Sequence, residues 1–170
     1  MNHIHSQLLP LKLRTVAFTG RRTYGGEVDE ELRLAVCDLC ERGFTRFLCG
    51  MSWGFDLAAA RAVMECRKSY PSIELVAVEP FAAFRTLFSD ESAMLYDHVL
   101  EAADERVVVG VDDKAAYMRR NDYLVNNASV VIAWWEGKQC GGTAYTIRKA
   151  RKQRVEVVNL YPQPQLELKF

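Results

Sequence analysis

Short β-branched and aromatic runs alternate with helical apolar patterns along this chain from residue 14 to residue 160, and that alternation constrains the fold more than any other feature. The strand-like runs are "RTVAFTG" (14–20), "TRFLCG" (45–50), "IELVAV" (73–78), "ERVVVG" (105–110), "SVVIAWW" (129–135) and "RVEVVNL" (154–160). Between the first two, Val28, Leu32, Ala35, Val36 and Leu39 recur at spacings of three and four, with acids in the first turn and Gly43 as a stop. Further helices are expected over 55–68, 89–103, 115–128 and 142–153, and the third strand is expected to end at Glu79-Pro80 because proline cannot donate to a ladder.

Strands that are apolar almost throughout belong in a parallel sheet covered on both faces, since right-handed crossovers place helices on each side. The expected fold is an α/β class, single Rossmann-like three-layer sandwich with a mainly parallel sheet. It should occupy residues 14–162, between a flexible N-terminal extension (1–13) and a C-terminal tail (163–170). At 170 residues the chain is long enough to bury one real core.

Lysine plus arginine and aspartate plus glutamate number 22 each, so no global positive field would hold the protein on nucleic acid or an anionic membrane. Any bound anion must be captured locally. The first 14 residues lack a signal-peptide pattern, and no run of 18 apolar residues occurs, so a cytoplasmic location is expected. Cys37, Cys40, Cys49, Cys66 and Cys140 are an odd set in a chain that needs no staple, and all are expected to stay reduced. Cys37 and Cys40 form a C-x-x-C inside an amphipathic pattern, which reads as core packing rather than redox or zinc chemistry. His3 and His5 have no partners placed to complete a metal site, so no metal is expected.

Ligands of open parallel sheets bind outside the carboxyl ends of the strands. Three glycine-bearing segments fall there: "TGRRTYGG" after the first strand, "CGMSWGFD" after the second and "WWEGKQCGGT" after the fifth. Gly141 and Gly142 open a helix, where free N–H groups attract anions, and Arg21 and Arg22 can contact phosphate oxygens. Each segment alone also reads as a tight turn. None forms a G-x-G-x-x-G fingerprint or a P-loop, so neither ordinary NAD redox chemistry nor ATP hydrolysis is indicated.

The ordered set "TGRR", "GMSWGFD", "EPF", "RRNDYLVNNAS" and "GGTAYTIRKA" resembles the YpsA-like family of the SLOG superfamily, a Rossmann-like group that includes Lonely Guy phosphoribohydrolases and DprA proteins. The resemblance runs over about residues 14–160 and implies a pocket for a nucleotide or nucleotide-derived ligand. The lining it implies is Gly20 and Arg22, then Gly50, Gly54 and Asp56, then Gly141, Gly142 and Thr143. Arg21 departs from the histidine or aromatic residue frequent in relatives. The resemblance also makes Arg120 and Asn121 pocket candidates, and Ser52 lies in the same motif as Gly54. Lonely Guy enzymes carry a catalytic glutamate three residues after their GT pair. Here that position is Thr146, which cannot act as a carboxylate.

Glycosidic cleavage needs a carboxylate near the developing oxocarbenium ion. Glu79, Asp56, Asp122 and Glu136 are near strand ends, and Glu79, before Pro80 at the rim, is the catalytic candidate. Glu136 can alternatively accept from a ribose hydroxyl, and Asp56 can simply cap a helix. Trp53, Trp134 and Tyr145 are stacking candidates, although Trp134 and Trp135 must face opposite sides of a strand. Cys140 lacks a nearby histidine to act as its base. The basic residues Arg148, Lys149, Arg151, Lys152 and Arg154 invite a nucleic-acid reading, but helical spacing spreads them around the axis, so nucleic acid is an unfavoured partner. The expected function is binding of a nucleotide or ADP-ribose-like molecule as a sensor or regulatory module, with no required cofactor, no membrane partner and a possible homodimer. The alternatives are a nucleotide N-glycoside hydrolase and, third, a nucleic-acid-associated protein.

Overall fold

A computed structural model of the chain describes residues 9–163. Its six strands are β1 (Thr15–Gly20), β2 (Arg46–Cys49), β3 (Glu74–Phe81), β4 (Glu105–Gly110), β5 (Val130–Trp134) and β6 (Glu156–Asn159). They form one sheet in the order β4-β3-β2-β1-β5-β6, and every pairing is parallel. The chain builds outward from β1 to β4, then returns to lay β5 along the other side of β1. The β1–β5 boundary is therefore the switch point, where helices depart to opposite faces and a crevice opens.

The helices are α1 (Asp29–Glu41), α2 (Phe55–Cys66), α3 (Asp90–Ala102), α4 (Ala116–Asn126) and α5 (Gly142–Lys152). Alternation along the strands divides the core as the pleat requires. Val16 and Phe18 pack with Leu32, Val36, Val63 and Val99 of α1 to α3, whereas Ala17, Val76 and Val78 pack with Leu124 and Val125 of α4 and Ala150 of α5. This is the expected three-layer sandwich. Helix α2 is buried on most sides, and its run of Ala58, Ala59, Ala60 and Ala62 keeps it thin enough to lie beneath its neighbours. The acids Asp29, Glu30 and Glu31 stand in the first turn of α1, where they complement the helix dipole.

Two expectations need correction. β3 does not stop at Glu79-Pro80 but runs on to Phe81, with Glu79 opposite Val108 and Phe81 opposite Gly110. The ladder to β2 has already ended at Ala77, so Pro80 sits where β3 has a neighbour on one side only, the edge setting in which proline is tolerated. The cysteines are not all free: Cys37 and Cys66 are disulfide-bonded, with Cα atoms 6.0 Å apart. Helices α1 and α2 pack side by side and turn these positions toward each other, a proximity hidden by their separation in sequence. Cys40, Cys49 and Cys140 are free, and burial pushes the Cys40 thiol up to about 11, consistent with a packing role.

Of the expected extension, residues 1–8 with His3 and His5 lie outside the described residues, whereas Leu11–Arg14 form a 3-10 turn whose Leu11 carbonyl accepts from the Thr15 hydroxyl at 2.6 Å. Residues 164–170 of the tail also lie outside them. Among the described residues no helix is long and apolar enough to cross a membrane, and no cluster of three metal-ligating side chains occurs.

Candidate functional site

A cavity of about 420 Å³ opens at the carboxyl end of β1, between the N-termini of the helices that follow β2, β4 and β5. The end of β1 supplies Phe18, Thr19 and Gly20, and the loop after it Arg21, Arg22 and Thr23. Ser52 comes from the β2–α2 loop, Asp56 from the first turn of α2, and Gly142 and Thr143 from the start of α5. Helices that follow strands begin at this edge, which is why two helix N-termini meet here. Helix α4 begins at the same edge, so its first three turns contribute Tyr117, Arg120, Asn121 and Leu124, positions three and four apart on one face.

The candidate glycines divide by what stands next to them. A Cβ on Gly20 would lie 2.4 Å from the Phe55 ring, so this glycine lets α2 pack on β1. At Gly50 a Cβ would meet Arg120 and Asp56 at 2.8 and 2.9 Å; the space is taken by the protein's own ion pair. Gly54 has φ +80 and ψ −124, and a Cβ there would press on the Arg22 and Arg21 carbonyl oxygens at 2.6 and 2.7 Å. It allows two loops to cross. Gly50, Gly54 and Gly141 are not among the residues lining the cavity, although Gly141 (φ +91) immediately precedes the lining pair and starts α5. Gly142 does front the cavity, and its nearest side-chain neighbour is Asn121 Nδ2, 3.3 Å from a built Cβ.

Arg21 and Arg22, adjacent in sequence, have different work. Arg21 grips Glu136 with Nε at 3.1 Å and Nη2 at 2.5 Å, fastening the β1–α1 loop to the β5–α5 loop. Partial burial pushes the Glu136 carboxyl up, but the Arg21 hydrogen bonds and charge prevail and hold it below the usual carboxylate range. Glu136 itself does not line the cavity. Arg22 has no carboxylate within ion-pair distance among the described residues; its guanidinium stacks over Trp53 at 4.1 Å and Tyr117 at 5.2 Å. Trp53 therefore serves as a platform for an arginine.

A chain of buried polar groups runs along the floor. Arg120 and Asp56 are 6% and 5% exposed, and their closest charged atoms are 3.9 Å apart. Arg120 donates from Nη1 to the Gly50 carbonyl and from Nε to Asn121 Oδ1 at 2.8 Å. Because that bond occupies the Asn121 oxygen, the amide NH₂ is the group turned toward Gly142. Asp56 Oδ2 accepts from the Ser52 N–H at 3.3 Å. Burial raises the Asp56 carboxyl to about 6, against the opposing charges of Arg120 and Arg22 and the Ser52 hydrogen bond.

Several expected residues stand elsewhere. Glu79 is fully buried, paired through Oε2 with Arg106, and does not line the cavity; its Oε1 has no hydrogen-bond partner among the described residues. Thr146 is 1% exposed and donates its hydroxyl to Gly142 O at 2.9 Å. Trp134 packs edge-on to Tyr24 at 5.0 Å and against Tyr161, whereas Trp135 faces the other side of the sheet beside Ala144 and Ile147. Neither ring is free to stack a base. Tyr145 bonds Asp122 at 2.6 Å, and Lys149 reaches the same carboxylate oxygen at 3.1 Å. The basic residues are less dispersed than helical spacing suggested. Arg148, Lys149 and Lys152 share one face of α5 with Tyr145 and Gln153, around a second, shallower cavity of about 470 Å³. Arg151 instead lies over Trp135.

Phe18, Thr23, Tyr117 and Leu124 were not foreseen as lining. Tyr117 and Leu124 had a signal, since they fall on the helical stripe of Arg120 and Asn121. Thr23 lies in the flagged segment "TGRRTYGG", and Phe18 had no signal, because it is a fully buried core residue of β1.

Residues 21–166 match the YspA SLOG family. A UPF0398 protein of Halalkalibacterium halodurans is 27% identical over 119 residues, 68% of this chain and 63% of that one. The SPbeta prophage-derived protein YoqJ of Bacillus subtilis is 27% identical over 138 residues, 72% of this chain and 80% of its own. The chain thus spans less than two thirds of the first of these relatives. Among solved structures, DNA processing protein A from Streptococcus pneumoniae superposes with a TM-score of 0.65 at 19% identity, over 92% of this chain and 53% of that one. The Helicobacter pylori DNA processing protein A, a single-stranded DNA binder, gives 0.63 at 16% identity, over 91% and 68%. At these identities the likeness is one of fold.

Proposed function

The chain belongs to the YspA SLOG family, and from that premise we propose that it binds a small phosphate-bearing nucleotide or nucleotide derivative in the cavity at the β1–β5 switch point. The observation that carries this reading is the donor-rich end of the cavity. The first amides of α5 have no side-chain cap among the described residues. The Asn121 amide, 7% exposed, turns its NH₂ toward them because Arg120 occupies its oxygen. Arg22 adds a positive charge with no carboxylate partner among the described residues. Donors converging on a helix N-terminus, with a cation beside them, suit a phosphate.

The chain then acts as a sensor or regulatory module rather than a hydrolase. Thr146 has no acid function, Glu79 is outside the cavity, and Asp56 is the one carboxylate among the described lining residues. Hydrolysis would have to use that group. Titration of the chain with AMP, with chromatography of the mixture, tests the proposal: Gly142→Asp places a carboxylate at the phosphate position and is expected to weaken AMP at least about tenfold, with AMP recovered intact. Unchanged affinity would remove the α5 glycines from the site, and released adenine would favour the hydrolase.

A second reading draws on the basic face of α5 and the single-stranded DNA binding of the Helicobacter relative. Retention of single-stranded DNA that falls steeply with salt and is lost on Lys149→Ala with Lys152→Ala would support it. A homodimer would have available the edge of β4, unpaired among the described residues, with Val108, Val111 and Met118 exposed along it; light scattering of the purified chain tests that.

A further inference from the structure

The two ends of the cavity differ in hydrogen-bonding character, and phosphate binding accounts for only one of them. At the α5 end the backbone amides, the Asn121 NH₂ and the Thr143 hydroxyl can all donate, and no carboxylate stands among the described lining residues there. At the α2 end stands Asp56, an acceptor when ionised. Its Oδ2 faces the Ser52 N–H and Arg120, while Oδ1 has no hydrogen-bond partner among the described residues and is not sealed from solvent. The ion pair with Arg120 engages Oδ2 and leaves Oδ1 unaccounted for. Arg120 directs its N–H groups to Gly50 and Asn121 instead, leaving its nearest approach to Asp56 at 3.9 Å. Burying a carboxylate that keeps one oxygen free is costly unless a donor arrives to meet it.

We infer that Asp56 is a specificity residue: its free oxygen accepts from the ribose hydroxyls of a ligand whose phosphate lies against Gly142 and Thr143, so the cavity selects ribonucleotides over their deoxy counterparts. The inference rests on the phosphate reading above. A ligand with an anion at one end and a vicinal diol a few bonds away matches both ends of the site, and a cavity of about 420 Å³ is in the range for a small nucleotide. Ser52 and Arg120 hold the carboxylate in place without occupying Oδ1.

The test is isothermal titration of the full chain at pH 7.5 with AMP, 2′,3′-dideoxy-AMP, ribose 5-phosphate and IMP. AMP and IMP are expected to bind at least about tenfold more tightly than dideoxy-AMP, the loss that follows from leaving a charged acceptor unmet, with ribose 5-phosphate retaining measurable binding. Asp56→Asn, which keeps the shape and removes the charge, should narrow that ratio. Equal affinity for AMP and dideoxy-AMP would overturn the inference and leave the phosphate reading intact. Loss with IMP but not with dideoxy-AMP would assign Asp56 to the base amine and also overturn it. No binding of any of the compounds would remove both readings together. The comparison in the unmodified chain decides the matter even if the variant does not fold.

Discussion

Replacing Gly54 by alanine separates a glycine that serves the fold from one that serves a ligand. At φ +80 and ψ −124 an L-residue is in a region populated almost wholly by glycine, a strain of about 1–3 kcal/mol. The added Cβ would also stand 2.6 Å from the Arg22 carbonyl oxygen and 2.7 Å from that of Arg21. Those are backbone atoms, which cannot rotate away, and overpacking of this kind costs a further ~1–3 kcal/mol. The middle of the combined range, about 4 kcal/mol, corresponds to a fall in Tm of about 8–16 °C for a domain of this size. Gly142→Ala is the control. Its Cβ would meet only the end of the Asn121 side chain at 3.3 Å, in a helical position that favours alanine, so Tm should stay within about 2 °C of the unmodified chain. Differential scanning calorimetry of the two variants reads both effects. A Gly54 variant that melts with the unmodified chain would refute the claim that this glycine exists to let two loops cross.

Arg22→Ala is expected to weaken phosphate-bearing ligands at least about tenfold while leaving the matching nucleosides unchanged; equal losses in titration would show that Arg22 does not meet the phosphate. Asp56 should leave a pH signature. Its folded value near 6 lies above the unfolded 3.8, so its contribution to stability is fully present below 3.8 and is lost as pH rises through about 6. The groups facing it are Arg120, Arg22, Cys49 and the Ser52 N–H. Tm measured between pH 4 and pH 7 should therefore fall more steeply in the unmodified chain than in Asp56→Asn, and parallel curves would contradict the assignment. Glu79→Gln should lower Tm by breaking the Arg106 pair yet leave nucleotide affinity within about twofold; a larger loss of affinity would return Glu79 to the site.

Much of the architecture was legible before any coordinates. The period of apolar residues marked each strand and helix, because a parallel sheet buried on both faces demands runs such as "VVIAW" and helices with one apolar side. Position at strand ends was legible too, and it marked Gly20, Arg22, Ser52, Asp56, Gly142 and Thr143, while Arg120 and Asn121 were candidates through the family resemblance; all eight line one cavity. What residue type and order do not encode is which neighbour a side chain meets. Arg21 and Arg22 look equivalent in sequence, yet one is committed to Glu136, 115 positions away, and the other lies on Trp53. Glu79 lies near the carboxyl edge of the sheet, as Asp56 does, but it is fully buried within β3 and paired with the half-exposed Arg106. Cys37 and Cys66 meet only because α1 packs on α2. Local periodicity determined the elements and the edge where a ligand would lie. The partner of each charge and thiol was decided by packing, since long-range contacts depend on how faces are turned in space rather than on spacing along the chain.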